Sequence, residues 1–266
     1  MTDFDVATAV WRRADGGFDA ELDGRWSAGG VPHGGYLLAV LGRAAAVVSE
    51  RHPHLTAVSA SFLRTPEPGA ASVDVEVLRV GRSTTQLRAT LRQHGEIVLA
   101  ALLTQGVLAE TDPWWTTTSP AELPDEADCV PMPVEAPGAG FRVELMQFVD
   151  QRLDPAVLGF ATGTPSGSGV IRGYNRFADG SDWTPLSLLI PLDAGPPASF
   201  EVGVGRLLTQ QFTADVRSLP APGPVRYELR STQVSGGRID QDALVWDSKG
   251  RLVGQATQLG AVKVPG

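Results

Sequence analysis

Cysteine occurs once in this chain, at position 129, so neither an intramolecular disulfide nor a cysteine-based zinc site can form. A reducing cytoplasm is the expected compartment. Basic runs are absent too: arginines are scattered through a sequence of formal charge -8 and pI near 5.0, which argues against a nucleic-acid-binding surface. No apolar stretch reaches the ~20 residues that cross a bilayer, so no membrane span is expected. The opening MTDFDVATAVWRR lacks the basic start and apolar run of a signal peptide. Catalytic signatures are equally sparse. There is no G-x-S-x-G elbow, GTPSGSG lacks the lysine of a P-loop, and His33, His52, His54 and His94 suggest no Ser-His-Asp arrangement. His52 and His54 share what reads as one exposed loop, a weak metal-ligand pattern, so no metal and no cofactor is implied.

What the chain does contain is 42% apolar residues, enough for a globular core, and a pattern that occurs twice. The first copy runs from Ser61 through the corner Thr65-Pro66-Glu67-Pro68-Gly69 into VDVEVLRVGRSTTQLRATLRQHGEIVLAALLTQ. The second runs from Asp215 through Leu219-Pro220-Ala221-Pro222-Gly223 into VRYELRSTQVSGGRIDQDALVWDSKGRLVGQATQ. Each reads as a strand, a Pro/Gly corner and three more strands. Aligning His94-Gly95-Glu96 with Lys249-Gly250-Arg251 sets Leu103 opposite Gln258, an aliphatic side chain facing an amide. The repeat is too long for a solenoid and implies a fused dimer.

Residues 4–30 alternate weakly around a Gly16-Gly17 hairpin turn. The run Gly34–Glu50 predicts a helix apolar on nearly every face, hence buried. Its counterpart is Thr184–Asp193, shortened or kinked because Pro191 lies late in it. Period-two strands such as Val73, Val75 and Val77 against Asp74 and Glu76 surround the first helix, without a β-α-β rhythm, which gives an α+β class. Between the copies, residues 111–140 are rich in Pro, Thr and acids and read as a linker whose Trp114-Trp115 pack on a surface. The segment FRVELMQFVDQRL from Phe141 reads as the next strand. The domains expected are 1–110 and 141–266.

The stretch SASFLRTPEPG followed by EVLRVGRSTTQLRATLRQHGEIVLAALLTQ resembles the acyl-CoA thioesterase II family, in which a Phe-Leu-Arg-Pro corner precedes an R-x-G-R/N-S turn. Trp26, Gly34-Gly35 and the ending WDSKGRLVGQATQL extend the likeness over nearly the whole chain. The resemblance implies a double hotdog, two antiparallel sheets each wrapped around a central helix and set side by side with their sheets continuous. It also implies hydrolysis of an acyl-CoA by water with no covalent intermediate, and a homodimer or higher homo-oligomer.

The family's aspartate, threonine and glutamine fall on Asp193, Thr209 and Gln258 of this chain. Leu192 stands where the family often has Ser, and Phe212 where it commonly has His. In such a site Asp193 accepts a proton from water that Thr209 and Gln258 hold. Gly34 and Gly35 open a buried helix, where the Gly35 amide is a candidate oxyanion donor, and His33 borders the pocket or serves as an alternative base. Each residue also has a structural role open to it: Asp193 as a turn cap, Thr209 as a plain strand residue, Gly34-Gly35 as a tight turn. Two other activities compete with hydrolysis. A hotdog hydratase or dehydratase needs a paired Asp and His, and no histidine lies near Asp193 in sequence. A non-catalytic acyl-CoA-binding protein would need no base at all.

Overall fold

The computed structural model describes residues 1–138 and 140–264. Thr2 begins α1 (Asp3–Ala7) with a capping box: its hydroxyl accepts from the Asp5 amide at 3.1 Å, and the Asp5 carboxylate accepts from the Thr2 amide at 3.3 Å. This helix was not expected from the weak alternation of residues 4–30. The hairpin was: Val10–Arg12 pairs with Phe18–Leu22 across the Gly16-Gly17 turn, with Gly16 at φ +91°.

The long buried helix is α2 (Gly34–Val48), and ten of its residues, from Gly35 to Ala45, are buried. Two glycines one heptad apart let the second half of the chain come close. A Cβ on Gly35 would lie 2.1 Å from the Leu189 carbonyl oxygen, and one on Gly42 would lie 2.5 Å from Leu186 Cδ1. Its intended counterpart is not a regular helix. Between Thr184 and Ala194 only Ser187–Leu189 forms a 3₁₀ turn, and bonds of four-residue and three-residue spacing are mixed. Pro191 has no N–H for the Ser187 carbonyl, which the Ile190 amide takes instead at 2.9 Å.

The two sheets, expected side by side and continuous, join into one. A 14-stranded antiparallel sheet runs from the N-terminal hairpin through Gly69–Val80, Thr85–Gln93, Glu96–Gly106 and His54–Phe62. It continues through Leu208–Val216, Leu252–Ala261, Arg238–Trp246, Val225–Arg230, Val170–Phe177 and Val149–Leu153 to Val130–Pro131. The copies join through equivalent strands, His54–Phe62 beside Leu208–Val216. At the centre Ser59 pairs with Thr213, their hydroxyls 3.0 Å apart. A bulge falls between Leu55 and Ala57 in one copy and between Thr209 and Gln211 in the other. That register makes Leu55 equivalent to Thr209, Val58 to Phe212 and Leu103 to Gln258, the last as the sequence alignment expected.

Three local readings change. Residues 144–147 form a 3₁₀ turn, so the strand expected from Phe141 begins at Val149. Trp114 and Trp115 stand exposed rather than packed. His52 is buried with Nδ1 2.8 Å from the Thr85 hydroxyl, and His54 Nδ1 accepts from the Leu108 amide at 2.9 Å. Both histidines hold chain together instead of lining an exposed loop. Among the described residues no helix is long and apolar enough to cross a membrane.

Candidate active site

A cavity of about 360 Å³ opens where the two copies meet, and it gathers residues from both. His33 and Gly34 reach it from the start of α2, and Asp193 from the end of the broken helical segment. Thr209 and Gln258 come from neighbouring strands of the second copy. The site residues expected from sequence therefore line one space, apart from Gly35, whose amide meets it through Asp193.

Asp193 is fixed from one side. Its Oδ2 accepts from the Gly35 amide at 2.9 Å and lies 3.4 Å from His33 Nε2. The first-turn amides of a helix are unpaired within it and carry the positive end of its dipole, so they suit a carboxylate. Gly34 makes this approach possible, because a Cβ there would sit 2.6 Å from Asp193 Oδ2. The side chains of His33 and Asp193 are 9% and 11% exposed, so both are largely shielded while still lining the cavity. His33 Nδ1 is buried and has no partner among the described residues. An N–H there would be an orphaned donor, so the tautomer that fits carries its proton on Nε2, toward Asp193.

The second polar group is Thr209 with Gln258. The Thr209 hydroxyl donates to Gln258 Oε1 at 2.8 Å, which leaves the amide N–H groups of Gln258 to act as donors. The bulge after Thr209 turns its hydroxyl beside Gln258 although its register partner is Gly260. No direct bond joins Asp193 to Gln258 or Thr209; the two groups share the cavity and not a contact. Gly35, expected as an oxyanion donor, holds Asp193 instead. Leu192 is buried, packed within reach of Gly254, and Phe212 is buried as the strand partner of Gln258.

One cavity residue carried no signal in the sequence. Arg206 lies on the loop before Leu208–Val216, where nothing distinguishes it from the other scattered arginines. Its Nη2 donates to the Ala28 carbonyl at 3.0 Å, and its guanidinium lies 4.7 Å over the Phe141 ring. Burial lowers the guanidinium from its ordinary pKa, and the Asp193 carboxylate acts in the opposite direction. The remaining walls are mainly apolar, among them Met132, Leu145, Met146, Phe160 and Phe200.

A repeated antiparallel sheet with a buried helix and a cavity at the junction places this protein in the hot dog class. A hot dog protein of Alicyclobacillus acidocaldarius, of unknown function, shares the fold at a TM-score of 0.83 and 23% identity, with full coverage of both chains. The acyl-CoA thioesterase N-terminal domain model matches residues 22–106, and the acyl-CoA thioesterase C-terminal domain model matches residues 124–262. The chain belongs to the acyl-CoA thioesterase family. It is 30% identical to a protein of Thermobifida fusca YX provisionally described as a thioesterase II, at a TM-score of 0.88, covering 99% of this chain and 98% of that one. It is also 27% identical to an uncharacterised protein of Mycobacterium tuberculosis, over 92% of this chain and 90% of the relative.

Proposed function

We propose that this protein hydrolyses an acyl-CoA thioester to the free acid and CoA. The observation that carries the reading is Asp193 in the cavity with Oδ2 held by the Gly35 amide and approached by His33 Nε2 at 3.4 Å, which leaves Oδ1 as the oxygen that engages water. In this mechanism Oδ1 takes a proton from water while the water oxygen bonds to the thioester carbon. The Gln258 N–H groups, oriented by Thr209, donate to the carbonyl oxygen as it becomes an oxyanion or hold the attacking water. The tetrahedral intermediate then expels the CoA thiolate, which receives the proton from Asp193. A thiolate leaves readily, so the cavity needs no separate strong acid. The apolar walls accept the acyl chain.

The His33–Asp193 approach also supports a second reading, since it supplies the acid–base pair that hydration of an enoyl-CoA requires and that no nearby histidine in the sequence could. One set of assays separates the possibilities. Thiol release from a panel of saturated acyl-CoAs supports hydrolysis. Conversion between enoyl-CoA and 3-hydroxyacyl-CoA without thiol release supports hydration. Stable binding of intact acyl-CoA with neither conversion selects a carrier and ends both catalytic readings. Self-association into a dimer or higher oligomer is part of the same proposal, and light scattering showing only a 28.1 kDa species at micromolar concentration would count against it.

A further inference from the structure

The Asp193, Thr209 and Gln258 chemistry leaves two arginines of the cavity without a task, and of these Arg64 is paired with Glu96 at 2.9 Å while Arg206 is not paired among the described residues. Arg206 carries five N–H donors, and one of them is used, by the Ala28 carbonyl. No carboxylate lies within ion-pair distance of it among the described residues. Its placement is nevertheless built. Nη1 packs over Gly29, where a Cβ would come within 3.0 Å, and the guanidinium lies over the Phe141 ring at 4.7 Å. Arg206 is half-buried, so a purely hydrocarbon ligand that closed over the guanidinium would strip its free donors of solvent and leave them unsatisfied, at a cost in binding. A ligand that brings a carboxylate to the same place satisfies two of them at once.

We propose that Arg206 is a specificity residue that receives a carboxylate at the far end of the acyl chain, so that the preferred substrates are dicarboxylic acyl-CoAs. The proposal rests on the thioesterase reading of the site. Two features favour the acyl chain over the phosphates of CoA as the source of the anion. Arg206 lines the same cavity as Asp193, so the guanidinium faces the space that takes the acyl part of the thioester. The pantetheine arm holds the CoA phosphates a full arm's length from the thioester carbon. The apolar wall around Phe141, Val143 and Met146 then contacts the methylene spacer between the two ends.

The test compares succinyl, glutaryl, adipyl and suberyl thioesters with their monocarboxylic counterparts of equal length, as CoA and as pantetheine thioesters. Wild-type protein is expected to favour the dicarboxylic member of at least one pair in kcat/KM. Arg206→Met should lower that preference by about ten- to a hundredfold, and Arg206→Lys by less, in both carrier forms. Calorimetric titration with free glutarate or adipate against pentanoate or hexanoate gives the same comparison without hydrolysis. If wild-type protein releases no thiol from any thioester, the thioesterase reading fails, and the titrations still decide the role of Arg206. An unchanged preference in Arg206→Met overturns the proposal. So does a loss shared by both members of each CoA pair that vanishes with pantetheine thioesters, because that result assigns Arg206 to the phosphates.

Discussion

The two copies of the repeat share a sheet, a register and a bulge, yet only one is filled with hydrocarbon where the other is polar. Leu55 and Leu103 of the first copy occupy the positions of Thr209 and Gln258 in the second. The first copy keeps α2 intact, while the second loses its helix at Pro191 and delivers Asp193 to the N-terminus of α2. The regular copy supplies rigid packing and unpaired amides; the irregular copy supplies the carboxylate and the amide side chain. A site at the junction needs both, which is why neither copy alone contains it.

The largest expected effect comes from the place where the copies touch. Gly35→Ala would drive a Cβ to 2.1 Å from the Leu189 carbonyl, backbone against backbone, so neither side can yield locally. A loss of about 4 kcal/mol or more, or failure to recover folded protein, is expected in chemical denaturation. Gly30→Ala is the control: it has open space but φ +73°, and it should cost only about 1–2 kcal/mol.

The Pro/Gly corners give the next contrast. In the first copy the Glu67 amide is held by neutral Gln93 at 3.0 Å, while in the second the Ala221 amide is held by Asp247 at 3.0 Å. Burial acts to raise the Asp247 carboxyl, but Arg251 and the amides of Ala221 and Arg251 outweigh it and hold the group below the usual carboxylate range. Its stabilisation is therefore complete above the unfolded carboxylate pKa and is lost as pH falls through the depressed folded value. Asp247→Ala also leaves Arg251, whose side chain is 7% exposed, with Glu110 at 3.6 Å as its remaining carboxylate, and should cost about 3 kcal/mol at neutral pH. Urea unfolding of wild type and variant at neutral and acidic pH should show that difference shrinking in acid.

Exchanging residues between the copies is the sharpest comparison of the polar pair. Gln258→Leu should lower turnover by about ten- to a hundredfold while preserving or raising stability, because Leu is what the other copy carries there. Leu103→Gln should lose about 1–3 kcal/mol of stability and gain no activity, since no Thr stands at Leu55 to satisfy the amide. Thr209→Ala should be the mildest, about tenfold or less in turnover, because water can replace a hydroxyl. Steady-state kinetics paired with thermal unfolding reads all three.

Much of this contrast was legible in the sequence, and the legible part has a physical reason. Strands and corners carry local signals, so the Gly95 and Gly250 turns alone set Leu103 against Gln258. The unbroken Gly34–Glu50 run announced α2, and Pro191 announced the damage to its counterpart. The sequence did not reveal that the Gly35 amide serves Asp193, or that His33 meets a carboxylate 158 or more residues away, because both depend on how the copies dock. Arg206 was invisible for the same reason: its meaning comes from Ala28 and Phe141, which no spacing connects to it. The short α1 rests on one capping box and Phe4 packed on Trp26 and Phe177, too few residues for a periodic signal.

The central claim is that the irregular copy supplies the base through Asp193, and its most direct measurement is thiol release by Asp193→Asn beside wild type over the same acyl-CoA panel. Asn preserves the size of the side chain and an oxygen for the Gly35 amide, so the fold and substrate affinity should be kept. The expected result is a fall in kcat of about a hundredfold or more with KM changed only a few-fold. Near-full turnover in Asp193→Asn would contradict it, and would move the search for the base to His33.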